Sequence, residues 1–277
     1  MDEALSSRGA TLSLSDHNGV KQLWPKTSTP VGATLALDAV LLDAGGVLIL
    51  PHAGRLADAL GPLGITVPDR ATVERAHYVA VRALDIASDD QLTPGTYLEA
   101  FVDALDVPAE RRADACAAVQ QVWAQPSLYS WRCRVRGTGA GLRRLAATGL
   151  KLGVVSNSDG TVERQLRRAR ICQIGTGRGT SVLVIVDSAV FGVAKPDPSI
   201  FQHAVAALGV APERTLYVGD SLRFDVRGAM TAGLRPVHFD PHRLCPAPDG
   251  HPHITALVQL TDLISRSSTG RADDLHT

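Results

Sequence analysis

Four short polar segments of the sequence could carry chemistry, because each lies beyond the end of an apolar run of the kind that forms a buried strand. In the first segment, Asp43 follows the run Ala39 to Leu42 and precedes Gly45 and Gly46. Glycines let the backbone approach a bound ligand closely, and an aspartate at such a point could act as a nucleophile. An aspartate before glycine is more often a simple turn, so this segment alone decides nothing.

The other three segments supply an anion-binding group, a cation and a pair of carboxylates. Ser156 and Asn157 stand at the start of a predicted helix, where a hydroxyl and backbone amides suit an anionic oxygen. Lys195 is one of only four lysines in the chain. Asp220 and Asp225 are five residues apart, a spacing that suits a hard cation. Each of these segments also has a simpler interpretation without chemistry. The serine, asparagine and aspartates could cap helices, and the lysine could be exposed to solvent.

The elements that must position these residues follow from the apolar runs. Five runs lack the alternation of a half-exposed strand and are predicted as buried strands: Ala39 to Leu42, Leu150 to Val155, Val182 to Val186, Thr215 to Val218 and Pro236 to Phe239. Helical patterns separate them: Gly139 to Ala147, Gly160 to Ala169, Ser199 to Leu208 and Asp225 to Ala232. This alternation predicts an α/β fold with a doubly wound, Rossmann-like parallel sheet, which binds ligands beyond the carboxyl ends of its strands.

One long interval interrupts the alternation of strands and helices. Residues 51–135 have helical periodicity and no convincing strand, so we predict an inserted all-helical subdomain, with His77 among its core positions. The predicted units are a flexible N-terminal extension (1–36), the Rossmann-like core (37–50 and 136–263), the helical insert (51–135) and a flexible tail (264–277).

The composition argues against several classes of partner. Lysine plus arginine and aspartate plus glutamate each total 28, so no net charge attracts the chain to nucleic acid or anionic lipid. The sequence shows no apolar stretch of membrane-spanning length and no signal peptide. Four cysteines without a C-x-x-C pair suit reduced thiols in the cytoplasm. We therefore expect a cytoplasmic protein that acts on a small molecule, whereas these features predict no oligomeric state.

In their order and spacing, the four polar segments together resemble the motifs of the haloacid dehalogenase-like hydrolase superfamily. The resemblance runs from Asp38 to about Leu263, and the helical insert falls where this superfamily carries a cap domain. It implies an Mg²⁺-dependent hydrolase, most often a phosphatase that cleaves a small phosphorylated metabolite through an aspartyl-phosphate intermediate.

The resemblance implies catalytic and substrate-binding roles for matching residues. Asp43 would be the nucleophile, and Ser156 would hold a phosphoryl oxygen. Lys195 would neutralise charge on the nucleophile and on the phosphoryl group. Asn157 and Gly46, which adjoin these residues in the motifs, would also contact the substrate.

The resemblance also implies a set of magnesium ligands: Asp43, the backbone carbonyl of Gly45, Asp220 and Asp225. Of these, Asp225 would support either Lys195 or a metal-bound water. The physical chemistry agrees, because carboxylates crowded against a dianionic phosphate would repel one another strongly without a divalent cation and a lysine.

The first motif departs from the phosphatase pattern of the superfamily at Gly45. Phosphatases usually have a second aspartate there, two residues after the nucleophile, as general acid and base. General acid or base catalysis contributes about 10²- to 10⁴-fold. An alkyl phosphate should therefore react slowly unless the leaving group is good, water takes the role, or a group such as His52 supplies the proton.

The same gap leaves two alternatives open. Dehalogenases of the superfamily also lack the second aspartate, but they usually replace the Gly-Asp pair that stands here as Gly219 and Asp220. The other alternative is a non-catalytic module that binds a phosphorylated ligand, although the retained Asp43 argues against it. A third chemistry of the superfamily, phosphonate cleavage, is excluded. It requires a lysine of the cap, and residues 51–150 contain no lysine.

A further group of metal-binding residue types follows the last predicted strand: Asp240, His242, Cys245, His251 and His253. Their spacing matches no standard zinc module. The prolines and the glycine among them are typical of a surface loop, so the sequence favours a loop over a metal site.

Overall fold

The computed structural model describes residues 37–66, 69–126, 130–247 and 250–269. The predicted extension at 1–36 and the last part of the predicted tail lie outside the described residues. No helix in the described part combines the length and the apolar character that crossing a membrane requires.

Strands and helices alternate along the described chain after an initial helical insert. The strands are β1 (Ala39–Leu42), β2 (Ile49–Pro51), β3 (Trp131–Arg134), β4 (Lys151–Ser156), β5 (Cys172–Ile174), β6 (Thr180–Val182), β7 (Val184–Asp187), β8 (Thr215–Gly219), β9 (Arg235–Phe239) and β10 (His253–Ile254). The α-helices are α1 (Ala53–Leu60), α2 (Arg70–Ile86), α3 (Thr96–Asp103), α4 (Arg112–Trp123), α5 (Thr138–Ala146), α6 (Val162–Arg168), α7 (Ser188–Phe191), α8 (Pro198–Leu208), α9 (Arg227–Thr231) and α10 (Gln259–Thr269).

Six parallel strands form the central sheet in the order β10-β9-β8-β1-β4-β7. The chain moves outward from β1 through β4 to β7, and then returns to the other side of β1 for β8, β9 and β10. The predicted doubly wound fold is therefore confirmed. Because β1 and β8 are neighbours at the point where the strand order reverses, the residues that follow them stand in the crevice where such sheets bind ligands.

Side chains of the central strand alternate between two apolar cores, one on each face of the sheet. Val40 and Leu42 belong to the core that α5, α6 and α10 cover. Ala39 and Leu41 belong to the core that α8 and α9 cover. All four side chains are fully buried, which explains why the run shows no polar alternation.

The inserted helices α1 to α4 pack around a third apolar core, in which Leu56, Leu60 and Phe101 are fully buried. An antiparallel ribbon of β2 and β3 stands at the junction between the insert and the sheet. Strand β3 lies inside the interval predicted to lack strands. Its residues alternate between half-buried and exposed, and two of the four are arginines, so a search for buried apolar runs could not detect it.

Three other boundaries differ from the sequence prediction. The run from Val182 to Val186 is divided between β6 and β7, of which only β7 joins the central sheet. The helix predicted from Asp225 begins earlier, with a π-helical turn over Leu222–Val226 that continues into α9. Helix α10 extends to Thr269, into the predicted tail.

Candidate active site

A buried lysine joins two carboxylates at the carboxyl end of the sheet. The Nζ of Lys195 lies 2.9 Å from the Oδ1 of Asp43 and 2.7 Å from the Oδ1 of Asp225. Burial alone would lower the pKa of Lys195, but the two carboxylates raise it above its ordinary value. The ammonium is therefore charged at neutral pH, and it holds the side chain of Asp43 in a fixed position.

Asp225 has both carboxylate oxygens engaged within the protein. Its Oδ1 accepts hydrogen bonds from Lys195 and from the hydroxyl of Tyr217, at 2.7 and 2.9 Å. Its Oδ2 accepts the backbone N–H of Ser221 at 3.0 Å. The π-helical turn after β8 places the carboxylate there, since the residue five positions beyond Asp220 folds back under the strand end. These hydrogen bonds favour the predicted role of Asp225 as a support for Lys195 over a role as a direct metal ligand.

Three carboxylates converge on one point: oxygens of Asp43, Asp220 and Asp225 lie within 4.8 Å of one another. Burial raises the pKa of Asp43 to about 7, although Lys195 opposes the rise. Burial and the charge of Asp225 also raise the pKa of Asp220 well above its ordinary value. The single positive charge of Lys195 therefore does not balance the negative charges of three carboxylates. An oxygen-rich, electron-rich cluster of this kind fits Mg²⁺, for which Asp43 and Asp220 offer carboxylates and Gly45 a backbone carbonyl.

Ser156 and Asn157, in the second polar segment, have different surroundings. Ser156 is buried at the end of β4, next to β1 and thus beside the strand that carries Asp43. The side chain of Asn157 accepts the backbone N–H of Lys195 at 2.8 Å and donates to the carbonyl of Lys195 at 3.0 Å. The Asn157 side chain therefore positions the lysine loop, and the contact of Asn157 with substrate stays a prediction.

Asp187, at the end of β7, was not singled out from the sequence. Its carboxylate accepts the backbone N–H groups of Gly160 and Val162, at 3.0 and 3.2 Å, and so satisfies the start of α6. The same carboxylate accepts the N–H of Ala189 at 3.1 Å. Asp159 adds to this capping, since its Oδ1 accepts the backbone N–H of Thr161 at 3.2 Å.

The two glycines of the first motif are constrained in different ways. Gly46 has a φ of +68°, and a Cβ there would stand 1.9 Å from the Oδ2 of Asp220, so no other residue fits without displacing that carboxylate. A Cβ on Gly45 would stand 3.6 Å from the Cζ3 of Trp131, an ordinary contact. The indole of Trp131 therefore lies beside the position where phosphatases carry their second aspartate.

Helix α2 places two inserted side chains in direct contact with the loops that carry Gly46 and Asp220. The Nε2 of His77 lies 2.8 Å from the Oδ2 of Asp220, and its Nδ1 lies 2.7 Å from the hydroxyl of Tyr97. Tyr78 donates its hydroxyl to the carbonyl of Gly46 at 2.6 Å. Burial lowers the pKa of His77 to about 4. His77 was predicted as a core residue of the insert, and it is buried, but against the candidate active site.

Asp85, two turns further along α2, fixes this helix to the loop after β8. Its carboxylate accepts the hydroxyl of Ser221 at 2.7 Å and the backbone N–H groups of Leu222 and Arg223 at 2.8 and 2.9 Å. These donors belong to the start of the π-helical turn, where backbone N–H groups would otherwise lack partners. The insert therefore supplies the cap for the turn that follows Asp220.

His52, the proposed alternative proton donor, has a different place in the structure. It is the N-cap of α1, where its Nδ1 accepts the backbone N–H of Arg55 at 3.2 Å. Its Nε2 lies 3.2 Å from a guanidinium nitrogen of Arg132. His52 is therefore a capping residue of α1 in this structure.

The fold and the site together define a class of protein: a doubly wound α/β protein with a helical insert after its first strand and a carboxylate and lysine cluster at the strand ends. A family model described as haloacid dehalogenase-like hydrolase matches residues 37–233. The chain belongs to this family, as its four motifs indicated.

Curated relatives with described activities match shorter segments. A phosphoserine phosphatase from Thermus thermophilus is 37% identical over 92 residues, which are 33% of this chain and 34% of the relative. A glyceraldehyde 3-phosphate phosphatase from Methanopyrus kandleri is 40% identical over 93 residues, which are 34% of this chain and 37% of the relative. The chain thus spans about a third of the length of these two relatives.

Solved structures resemble the whole described fold. The chain covers 99% of the haloacid dehalogenase-type hydrolase YfnB from Bacillus subtilis, with a TM-score of 0.56, 18% identity and 83% of this chain covered. It covers 98% of a phosphatase of the same superfamily from Thermococcus onnurineus, with a TM-score of 0.50, 22% identity and 82% of this chain covered. At these identities the likeness concerns the fold.

Proposed function

We propose that this protein is an Mg²⁺-dependent phosphatase that hydrolyses a small phosphoric monoester through a covalent phosphate on Asp43. The observation that carries the proposal is the position of Lys195 between Asp43 and Asp225, with Asp220 beside them. Phosphoryl transfer requires positioning and charge cancellation more than covalent chemistry, and this cluster provides both.

In the proposed reaction, a carboxylate oxygen of Asp43 attacks phosphorus, and the bond from phosphorus to the ester oxygen breaks. Lys195 and Ser156 neutralise and orient the phosphoryl oxygens. The leaving oxygen takes up a proton, and water then cleaves the aspartyl phosphate to release inorganic phosphate and restore Asp43.

Asp43, Asp220 and the carbonyl of Gly45 would hold the magnesium ion. When bound, it neutralises the carboxylates and the phosphoryl oxygens as a Lewis acid. The Bacillus subtilis hydrolase of the same fold is described as bound to magnesium, which supports the assignment. We place Asp225 outside the ligand set, because its two oxygens bind Lys195, Tyr217 and the Ser221 backbone.

The stabilisation of the leaving oxygen that Gly45 cannot supply points to His77. Its ring contacts the carboxylate cluster directly, through Nε2 and Asp220. We propose that this N–H turns from Asp220 to the leaving oxygen once substrate and metal are bound and donates a hydrogen bond to it, while water supplies the proton, because the ring is neutral at a pKa of about 4. Helices α1 to α4 would then act as the cap, which excludes water from the site and contacts the leaving group.

The two phosphatases among the relatives act, by their names, on phosphoserine and on glyceraldehyde 3-phosphate. A small phosphorylated metabolite is accordingly the substrate class we propose. The described cysteines are all free thiols, which supports a reducing compartment such as the cytoplasm.

The test is Mg²⁺-dependent hydrolysis of p-nitrophenyl phosphate by the wild type, Asp43→Asn and the control Asp38→Asn. Asp38 stands at the other end of β1, where it pairs with Arg214. We expect the wild type and the control to release nitrophenol, and Asp43→Asn to lose at least about 10³-fold in rate, because the lost nucleophile is worth several kcal/mol of barrier. Acid-quenched wild type should carry phosphate on Asp43.

Two results would replace the proposal with its alternatives. Release of halide from a 2-haloacid without added Mg²⁺, together with no phosphate ester cleavage, would identify a dehalogenase. Tight binding of phosphate esters with neither turnover nor a phosphorylated Asp43 would identify a non-catalytic binding module.

A further inference from the structure

A second cluster of metal-binding side chains lies where β9 and β10 pair at the edge of the sheet. The strand register sets His253 of β10 directly beside His238 of β9. Cys245 and His251 belong to the connection between the two strands. One candidate ligand atom from each of these four residues lies within 4.8 Å of all the others.

The closest distances within this cluster match those of a tetrahedral zinc site. The Nδ1 of His238 lies 3.1 Å from the Nε2 of His251, and the Sγ of Cys245 lies 3.6 Å from the same nitrogen. Tetrahedral Zn²⁺, with bonds of about 2.0–2.1 Å to nitrogen and about 2.3 Å to sulfur, separates two nitrogens by about 3.3 Å and nitrogen from sulfur by about 3.6 Å. His238 and Cys245 therefore each stand close to the required spacing from His251.

Groups behind the rings orient two of the histidines. The Nε2 of His238 lies 3.0 Å from the carbonyl oxygen of Asp220 and donates to it, which leaves Nδ1 as the free nitrogen. An oxygen of Asp240 lies 3.7 Å from the Nδ1 of His253. The Nε2 of His253 is buried, and no group in the described residues forms a hydrogen bond with it. Metal-ligating histidines are held by carbonyls and carboxylates in this way.

The charges of the cluster also suit a divalent cation. A neutral imidazole offers a metal its lone pair, and a thiol that binds a metal releases its proton into solvent. Three neutral imidazoles and one thiolate leave a single positive charge on a divalent ion, which the carboxylate of Asp240 balances.

We propose a structural Zn²⁺ site with four protein ligands: His238 Nδ1, Cys245 Sγ, His251 Nε2 and His253 Nε2. Nitrogen and sulfur ligands select zinc over magnesium, and four protein ligands leave no open position for a substrate. The site fixes the connection between β9 and β10. Through His238 it also supports the carbonyl of Asp220, at the back of the candidate active site.

The first test measures metal content and coordination in the full chain, purified without a histidine tag. In excess Mg²⁺, which fills the carboxylate cluster, we expect one equivalent of Zn²⁺ to remain bound through gel filtration. Replacement by Co²⁺ should give the visible absorption of a tetrahedral ion and a thiolate-to-cobalt charge-transfer band. Retention of no zinc, or an octahedral cobalt spectrum without that band, would overturn the proposal.

The second test assigns the ligands with matched variants. We expect Cys245→Ser and His253→Ala to weaken Zn²⁺ affinity by at least about 10²-fold, since even the loss of a group behind a ligand costs about 10- to 100-fold. The controls Cys116→Ser and His242→Ala should retain zinc and the cobalt spectrum. If zinc affinity instead falls in Asp220→Asn and is unchanged in Cys245→Ser and His253→Ala, the ion occupies the carboxylate cluster and the proposal is wrong.

Discussion

The Nε2 of His77 lies 2.8 Å from the Oδ2 of Asp220, so a histidine from the inserted helices contacts a carboxylate of the sheet. The two residues are 143 positions apart in the chain. This contact places a potential hydrogen-bond donor beside Gly45 and Gly46, in the region where the family's phosphatases carry their second aspartate.

Replacing His77 should affect substrates according to their leaving groups. We expect His77→Ala to slow the hydrolysis of an alkyl phosphate by about 10²-fold or more, because a departing alkoxide needs a hydrogen-bond donor to stabilise its charge. The rate with p-nitrophenyl phosphate, which has a good leaving group, should fall less than about tenfold. Tyr97→Phe, which removes the partner of Nδ1 and leaves the ring in place, is the control. Equal losses on both esters would assign His77 to holding Asp220.

Restoring the absent aspartate should require space as well as a carboxylate. The Cβ of Gly45→Asp fits, at 3.6 Å from Trp131, but the carboxylate must share the remaining space with the indole. We expect Gly45→Asp alone to be destabilised by about 1–3 kcal/mol, as overpacked sites are. In the background of Trp131→Ala, the same change should raise the alkyl phosphatase rate above that of Trp131→Ala. Kinetics and urea unfolding of the four proteins form a complete double-mutant cycle.

The contact between Asp85 and the turn after β8 should contribute measurably to stability. Asp85→Asn replaces one accepting oxygen with an amide nitrogen that cannot accept, and leaves a buried N–H or hydroxyl without a partner. We expect the free energy of unfolding to fall by about 1–3 kcal/mol in urea. Asp89→Asn removes the exposed carboxylate that pairs with Arg223, and should change stability by no more than about 1 kcal/mol. Comparable losses in both variants would contradict a special role for Asp85.

The raised pKa of Asp43 predicts how magnesium and pH act together. Between its ordinary pKa of 3.8 and its folded pKa of about 7, the native protein keeps a proton that the unfolded chain releases. Stability of the metal-free protein should therefore fall as pH rises through this window. Magnesium binds the ionised carboxylates, so it should raise the unfolding midpoint more at pH 7.5 than at pH 5.5.

Urea unfolding in EDTA and in Mg²⁺, at several pH values, checks this prediction. Asp43→Asn has no carboxylate to titrate at this position and should show a shallower slope in EDTA. Two outcomes would show that Asp43 ionises at an ordinary pKa. In one, the stability of the metal-free protein rises between pH 5 and pH 7. In the other, magnesium raises the unfolding midpoint equally at pH 5.5 and pH 7.5.

Much of the site could be predicted from the sequence because its parts are local. Each of Asp43, Ser156 and Asp220 directly follows or ends an apolar strand, and parallel strands bring their carboxyl ends to one edge. Strand β1 was predicted with its observed ends, since an unbroken apolar run has a single simple interpretation. Strand β3 has no such run, and was missed.

The parts that could not be predicted depend on contacts between distant segments. Helical spacing assigns His77 to a buried face, which is correct, but spacing does not reveal what covers that face. His238 lies within a strand predicted for its apolar residues, and nothing in the local pattern pairs its imidazole with those of His251 and His253. Asp187 likewise serves two helices from the end of a strand. In each case the partner is determined by the strand order and by the placement of the insert.

Helix α2 bonds to the core at three points: His77 to Asp220, Tyr78 to Gly46, and Asp85 to the turn at 221–223. The insert is consequently not an interchangeable module. A chimera that exchanged residues 51–135 for the equivalent segment of a relative would remove a partner of the loops after β1 and β8, unless the donor carried the same three side chains. Truncation to the sheet and its flanking helices would leave those loops without their bracing. Engineering of specificity should therefore vary α1, α3 and α4, and keep α2 constant.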